Sequence, residues 1–153
     1  MTEHLISHTY KRGKVIDKIL EIGSGCGYQS AVLSYFANDV YAVERIKPLV
    51  SKSRENLSEL KIRNVIVKHA DGFFGWDEDI KFNGIICAAA PRQYPEELLE
   101  LLEIGGKLVI PVGLEGKQKL YVITKKSETE NEEMVYEEVA FVPMLPGVSN
   151  GEV

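Results

Sequence analysis

Short apolar runs rich in β-branched residues recur along this chain, and the longer segments between them carry apolar positions at helical spacing. That alternation predicts a parallel sheet with crossover helices, since strands buried on both faces need continuous apolar runs and their helices need only a stripe. Lys18 to Ile22 reads as a first strand, Gln29 to Ala37 as a helix, Val40 to Glu44 as a second strand, and Pro48 to Leu60 as a helix with proline in its first turn. Asn64 to Lys68, Phe82 to Ala88 and Lys107 to Val112 continue as the third, fourth and fifth strands, with a helix over Pro95 to Leu102. The style then changes. Lys119 to Thr124 and Val135 to Val142 flank a polar stretch, Lys125 to Glu133, that has no helix-length apolar stripe, so a hairpin follows. The charged run Ser127 to Glu133 is read as its solvated tip rather than an acidic binding tail. Residues 1–17 are expected to pack a helix on the sheet, and residues 146–153 to form a loose tail.

Composition narrows what such a sheet serves. A chain of 153 residues, 44% hydrophobic and 27% charged, suits one domain with an apolar core. The net charge is −5 and the basic residues are scattered, which gives no general attraction to phosphate backbones, so no nucleic-acid partner is expected. No apolar run approaches the roughly 20 residues that cross a bilayer, and Met1 to Arg12 has neither a hydrophobic stretch nor a cleavage pattern. The expectation is a soluble, cytoplasmic protein with no membrane partner. Cys26 and Cys87 are too few for a disulfide framework and lack metal-ligand spacing, so two reduced thiols and no metal are expected.

The chemistry concentrates at Leu20-Glu21-Ile22-Gly23-Ser24-Gly25-Cys26-Gly27, three alternate glycines directly after a strand and before a helix. Glycines admit positive φ and let another molecule approach the backbone. The third follows the second by two residues, where the dinucleotide fingerprint leaves three, a spacing that favours S-adenosylmethionine over NAD. Glu44 closes the second strand across the expected switch-point crevice, where its carboxylate would accept from both ribose hydroxyls. Glu21 either orients the glycines or faces the amino-acid end of the cofactor. Asp71, followed by Gly72, is placed to accept from an adenine amino group, with a plain Asp-Gly turn as the rival reading. Cys26 and Cys87 are read as small packing residues near the cofactor.

Further blocks are more discriminating: Phe82-Asn83-Gly84-Ile85-Ile86-Cys87-Ala88-Ala89-Ala90-Pro91, Gly105-Gly106-Lys107-Leu108-Val109-Ile110-Pro111-Val112-Gly113 and Phe141-Val142-Pro143-Met144. With Leu20 to Gln29, Val43 to Ile46 and Asp71-Gly72, they make residues 20–142 resemble the protein-L-isoaspartate O-methyltransferases nearly throughout. The resemblance implies an α/β, Rossmann-like class I methyltransferase domain over 1–153: a mostly parallel central sheet, helices on both faces and a C-terminal antiparallel hairpin. It implies cofactor binding by Glu21, Gly23, Ser24, Gly25, Gly27, Glu44, Arg45, Asp71 and Gly72. The activity implied is methyl transfer from S-adenosyl-L-methionine to the α-carboxyl group of isoaspartyl residues in damaged peptides and proteins. The products are S-adenosyl-L-homocysteine and a methyl ester that closes to a succinimide.

Small residues at Ala88 to Ala90 leave space at a strand end, and Pro91 stops the strand. A main-chain-lined cleft between Ala89-Ala90-Pro91 and Pro111-Val112-Gly113 would suit a peptide whose side chains vary; the alternative is that these segments merely pack. An acceptor carboxylate with a reference pKa of about 3.9 is already ionised at neutral pH, so no general base is needed. No His-Asp or Cys-His constellation competes, and His4, His8 and His69 read as surface or packing residues.

The family carries, before its matching helix, a Thr-Ile-Ser motif whose serine orients the substrate carboxylate and whose loop covers the cofactor. Met1-Thr2-Glu3-His4-Leu5 resembles the middle of the helix that follows that motif, while 7–17 matches poorly, so no serine is carried over and no catalytic residue is assigned. Three readings follow: a shortened methyltransferase with weak or no activity, a complete enzyme that recruits another residue or a partner subunit, and a non-catalytic cofactor-binding or interaction module. A methyltransferase for another acceptor is the alternative enzyme. An uncovered apolar surface predicts reduced stability, with a monomer or weak self-association.

Overall fold

The computed structural model describes residues 1–9 and 15–151. Residues 10–14 of the expected N-terminal helical region, the side chain of His8 and residues 152–153 of the tail lie outside the described residues. In chain order the elements are α1 (Thr2–Thr9), β1 (Ile16–Ile22), α2 (Tyr28–Leu33), β2 (Ala37–Glu44), α3 (Lys47–Glu59) and β3 (Val65–His69). A 3₁₀ turn (Gly72–Phe74) leads to β4 (Phe82–Cys87), α4 (Glu96–Glu100), β5 (Leu102–Val112), β6 (Gln118–Lys125) and β7 (Asn131–Val139).

The seven strands form one sheet in the order β3-β2-β1-β4-β5-β6-β7. β1 to β5 run parallel, and β6 and β7 close the sheet as an antiparallel hairpin. Alternation along the central strands feeds two cores. Leu20, Ile22, Ile85, Cys87, Leu108 and Ile110 face α4 and Trp76, whereas Ile19, Ile86 and Val109 face Leu5 of α1 and Leu33 of α2. α3 covers the same face as α1 and α2, through Val50 and Leu57 against Ala42 and Val67. Helices therefore cover both faces, as the apolar pattern predicts. The chain winds outward from β1 to β3, then returns to β4 on the other side of β1. A crevice opens where the winding reverses, at the carboxyl ends of the strands.

Boundaries differ from expectation where polarity hides pairing. The helix expected over Gln29 to Ala37 stops at Leu33, because Asn64 Nδ2 donates to the carbonyls of Ser34 and Ala37 (2.9 and 3.1 Å) and Ala37 pairs with Ile16 as the first rung of β2. The helix expected over Pro95 to Leu102 is only Glu96–Glu100; Leu102 already pairs with Phe82 before a register shift in β5. The hairpin tip is shorter than the charged run implies, with Glu132 and Glu133 paired to Thr124 and Ile123. β7 is exposed along most of its length, with Tyr136 and Val139 half-buried against the core, so it needs little apolar alternation, and charge there discourages further pairing.

The tail is the largest correction. Residues 147–151, expected to be loose, are tethered: Ser149 N–H donates to Arg45 O (2.7 Å), and Lys47 N–H donates to Ser149 O (2.9 Å). Gly147 N–H donates to Asp71 Oδ2 (2.7 Å). The amide groups satisfied here leave no signature in side-chain polarity.

Leu5 is fully buried in the core of that face, where α1 packs on β4 and β5. Leu5→Ala is expected to cost about 2–5 kcal/mol, read as a lower urea midpoint with an unchanged slope. A cost below about 1 kcal/mol would mean that α1 does not pack on the sheet.

Candidate functional site

The crevice at the strand ends has a volume of about 480 Å³ and is walled mainly by apolar side chains, among them Ile22, Val43, Ile46, Leu49 and Met144. Its floor is the glycine turn. Gly23 and Ser24 donate from their backbone N–H groups to Val43 O (2.8 and 3.3 Å), which fastens the start of the turn to β2. Gly23, Gly25 and Gly27 have φ of 86°, 55° and 92°, so three residues in five sit where a side chain would be strained. Gly23 and Gly25 line the crevice. Gly27 does not; it packs on the Ser53 backbone of α3, 3.3 Å from where a Cβ would stand.

Glu44 is 6% exposed at the end of β2 and lines the crevice. Its Oε2 accepts from Gly25 N–H (2.9 Å) and its Oε1 from Ile46 N–H (3.1 Å), so one carboxylate ties the turn to the strand beside it. Each oxygen keeps a further lone pair for a ligand hydroxyl. Arg45 also lines the crevice, while its Nε donates to Gly147 O (3.4 Å).

The remaining expected residues support the turn or close the site's edges. Glu21 is 1% exposed and lies outside the crevice lining: Ser30 Oγ of α2 donates to its Oε1, and Oε2 has no hydrogen-bond partner among the described residues. Burial pushes its carboxyl up to about 7, against the Ser30 bond and with reinforcement from Glu44. Ser24 Oγ meets Ser53 Oγ at 3.2 Å, and Ser53 Oγ donates to Gly25 O (2.6 Å). Asp71 accepts from its own chain at both oxygens, from Phe73 N–H (2.9 Å) and Gly147 N–H (2.7 Å), and is not part of the crevice lining. Gly72 lines the crevice, but the demand for glycine there comes from Ile22, whose Cγ2 would lie 2.5 Å from an added Cβ.

The open peptide cleft expected between Ala89-Ala90-Pro91 and Pro111-Val112-Gly113 is closed by the protein itself. Gly113 N–H donates to Pro91 O (2.9 Å), Ala90 N–H to Val142 O (2.8 Å) and Met144 N–H to Ala90 O (2.9 Å). Pro91 and Pro111 are buried, and of the six residues only Ala89 lines the crevice. The main-chain groups of Ala90 are spent on Val142 and Met144, and the Pro91 carbonyl and Gly113 N–H on each other.

Sequence reasoning missed that segment as crevice wall, together with Ser53 and with Asn56, whose Nδ2 donates to Cys26 O (2.8 Å). Small hydroxyl and amide groups at Ser53 and Asn56, three apart on a helix, were the available signal. Cys87 is buried with its thiol pushed up to about 12 by burial, and Cys26 is exposed. His69 is a packing residue whose Nε2 lies 2.9 Å from Arg45 O and 3.1 Å from Ser149 O. His4 sits against Tyr136, with ring centroids 4.4 Å apart, and 3.7 Å from Glu137. Among the described residues no cluster of three metal-ligating side chains occurs, and no helix is long and apolar enough to cross a membrane.

A glycine turn after β1, an acid at the end of β2, a crevice at the reversal of winding and a closing antiparallel hairpin define a Rossmann-like class I methyltransferase fold. The family model for protein-L-isoaspartate(D-aspartate) O-methyltransferase matches residues 5–149, and the chain belongs to that family. It is 48% identical over 142 residues to a protein-L-isoaspartate O-methyltransferase of Methylobacillus flagellatus, covering 91% of this chain and 63% of that protein. Against protein-L-isoaspartate O-methyltransferase 1 of Marinobacter nauticus the identity is 46%, covering 97% of this chain and 64% of the relative. A Plasmodium falciparum structure, described as a putative enzyme of this kind in complex with S-adenosyl-L-homocysteine, superposes with a TM-score of 0.78 at 29% identity, covering 94% of this chain and 70% of that one. Thus the chain spans less than two thirds of the length of these curated relatives.

Two measurements check the site. Above its ordinary value of 4.5 the unfolded chain ionises Glu21 while the folded chain holds the proton up to about 7, so this residue lowers stability progressively between those pH values. Glu21→Gln keeps an acceptor for Ser30 and is expected to raise stability by on the order of 2 kcal/mol at pH 8 and by almost nothing at pH 4. Equal effects at both pH values would disprove the burial argument. Cys26 is expected to react with a thiol reagent in the folded protein and Cys87 only after unfolding, with simultaneous labelling as the contrary result.

Proposed function

We propose that the crevice holds S-adenosyl-L-methionine and that the activity is methylation of the α-carboxyl group of isoaspartyl residues in damaged peptides and proteins, in the cytoplasm. The observation that carries this is Glu44, a nearly buried carboxylate on the crevice wall that fixes the glycine turn and retains free lone pairs. The residues present fit the cofactor. A crevice of about 480 Å³ is in the range of small-molecule sites, and beyond Gly25 nothing lies within 4 Å of where a Cβ would stand. When bound, the cofactor supplies a sulfonium methyl group to the acceptor carboxylate and leaves as S-adenosyl-L-homocysteine.

The chain's own work is binding and alignment. Glu44 accepts from ribose hydroxyls, Gly23 and Gly25 admit the amino-acid portion close to the backbone, and Ile46 and Leu49 offer apolar contact to the base. Ala88 and Ala89 keep the end of β4 clear for the acceptor. An ionised acceptor needs no proton removed, so water exclusion by these apolar walls and in-line placement account for the rate.

Calorimetry with S-adenosyl-L-methionine, followed by methanol release from an isoaspartyl peptide, tests both halves. Glu44→Ala is expected to weaken cofactor binding by about ten-fold or more. Absent binding would refute the crevice assignment. Binding without methanol release would refute the acceptor assignment and leave a cofactor-binding unit.

A further inference from the structure

The segment after β7 does more than wall the crevice. In the sheet, β1 lies between β2 and β4, so the ends of β2 and β4 stand about 10 Å apart. One stretch of chain spans that gap. At the β4 side Pro143 bridges Ala90, with Met144 buried in the core; at the β2 side Ser149 bridges Ile46. Between these anchors Gly147 gives its N–H to Asp71 Oδ2, at the end of β3 (2.7 Å). Beyond Ser149, Gly151 lies against Pro48 in the first turn of α3, where an added Cβ would come 2.5 Å from Cγ.

The two halves of this arch are held differently. Val142 to Leu145 line the crevice, and Met144 is 9% exposed. From Leu145 onward the chain buries little: Leu145 and Val148 are 50% and 54% exposed, and residues 147–151 are not part of the crevice lining. Their attachment is hydrogen bonds, from Gly147 to Asp71 and Arg45 and from Ser149 to Arg45, Lys47 and His69, with Gly151 against Pro48 and little apolar burial, and each such bond exchanges for water at small net cost. An outer half held by such bonds, hinged on an inner half held by the core, is built to open while the fold stays intact.

We propose that residues 146–151 form a strap across the mouth of the crevice, clasped by Asp71, whose release admits and discharges the nucleoside ligand. The proposal rests on the cofactor reading above and gives Asp71 a positioning role in place of a direct bond to adenine. Both of its carboxylate oxygens accept from the protein backbone, one of them from the strap.

The test uses surface plasmon resonance with S-adenosyl-L-homocysteine on the parent chain, a chain ending at Pro146, Ser149→Pro and Asp71→Ala in both backgrounds. Ser149→Pro removes the N–H that bonds Arg45 O and serves if the shortened chain is unstable in urea. The expected result is release about ten-fold faster in the shortened chain and in Ser149→Pro, with association accelerated as well. Asp71→Ala should speed release in the parent chain and add nothing in the shortened one. Release rates within about two-fold of the parent overturn the strap. Faster release with slower association overturns the gate, because that pattern marks lost ligand contacts. A further loss of affinity from Asp71→Ala in the shortened chain overturns the clasp. If the parent chain fails to bind S-adenosyl-L-homocysteine at all, the cofactor reading itself is refuted and the strap goes with it.

Discussion

One buried carboxylate sets the geometry of the crevice. Glu44 stands at the end of β2 with its oxygens on the amides of Gly25 and Ile46, so a turn with no side chains of its own at three positions acquires a fixed shape. A glycine-rich turn loses more conformational entropy on ordering than any other, and the bonds that hold it must offset that loss. Here they come from outside the turn: Val43 O and Glu44 from β2, Ser53 and Asn56 from α3. The ends of β1, β2 and α3 are thereby locked around one opening.

The same arrangement explains the tension at Glu21. Its carboxyl is buried beneath the turn with one oxygen on Ser30 and the other unpartnered, and Glu44 lies close enough to add repulsion. Replacing a hydrated carboxylate by a buried one is costly, and the folded protein lessens the cost by retaining the proton. A protonated Glu21 also becomes a donor as well as an acceptor. The two acids flanking the glycines therefore do different jobs: Glu44 faces the crevice, and Glu21 supports the start of α2 from behind.

Much of this was legible in the residues. The alternation of apolar strands and amphipathic helices places every parallel strand, and the turn from Gly23 to Gly27 together with Glu44 marks the crevice. What escaped were features carried by the main chain or by small polar groups. The N–H of Gly147 bonding Asp71 and the amides of Val142 to Met144 bonding Ala90 are contacts between positions far apart in the chain, made by atoms every residue possesses. Hydropathy cannot register them. β7 escapes for a different reason: mostly exposed, with Tyr136 and Val139 half-buried, it carries charge at positions where a covered strand would alternate.

Asp71 shows how a local reading leaves two roles open. An Asp-Gly pair at the end of a parallel strand suits both a turn and a ligand, and both descriptions place the side chain at the same spot. What the sequence does not show is the partner within the chain. Oδ1 closes the turn on Phe73, and Oδ2 meets an amide 76 residues further on. Gly72, in turn, is required by the approach of Ile22 and Met144, not by open space. The C-terminal segment thus bonds to Ala90 and to one oxygen of Asp71, two positions that the residues alone would leave for substrate and cofactor. Its inner part, Val142 to Leu145, thereby becomes wall of the crevice, and its outer part is fastened to the ends of β2 and β3.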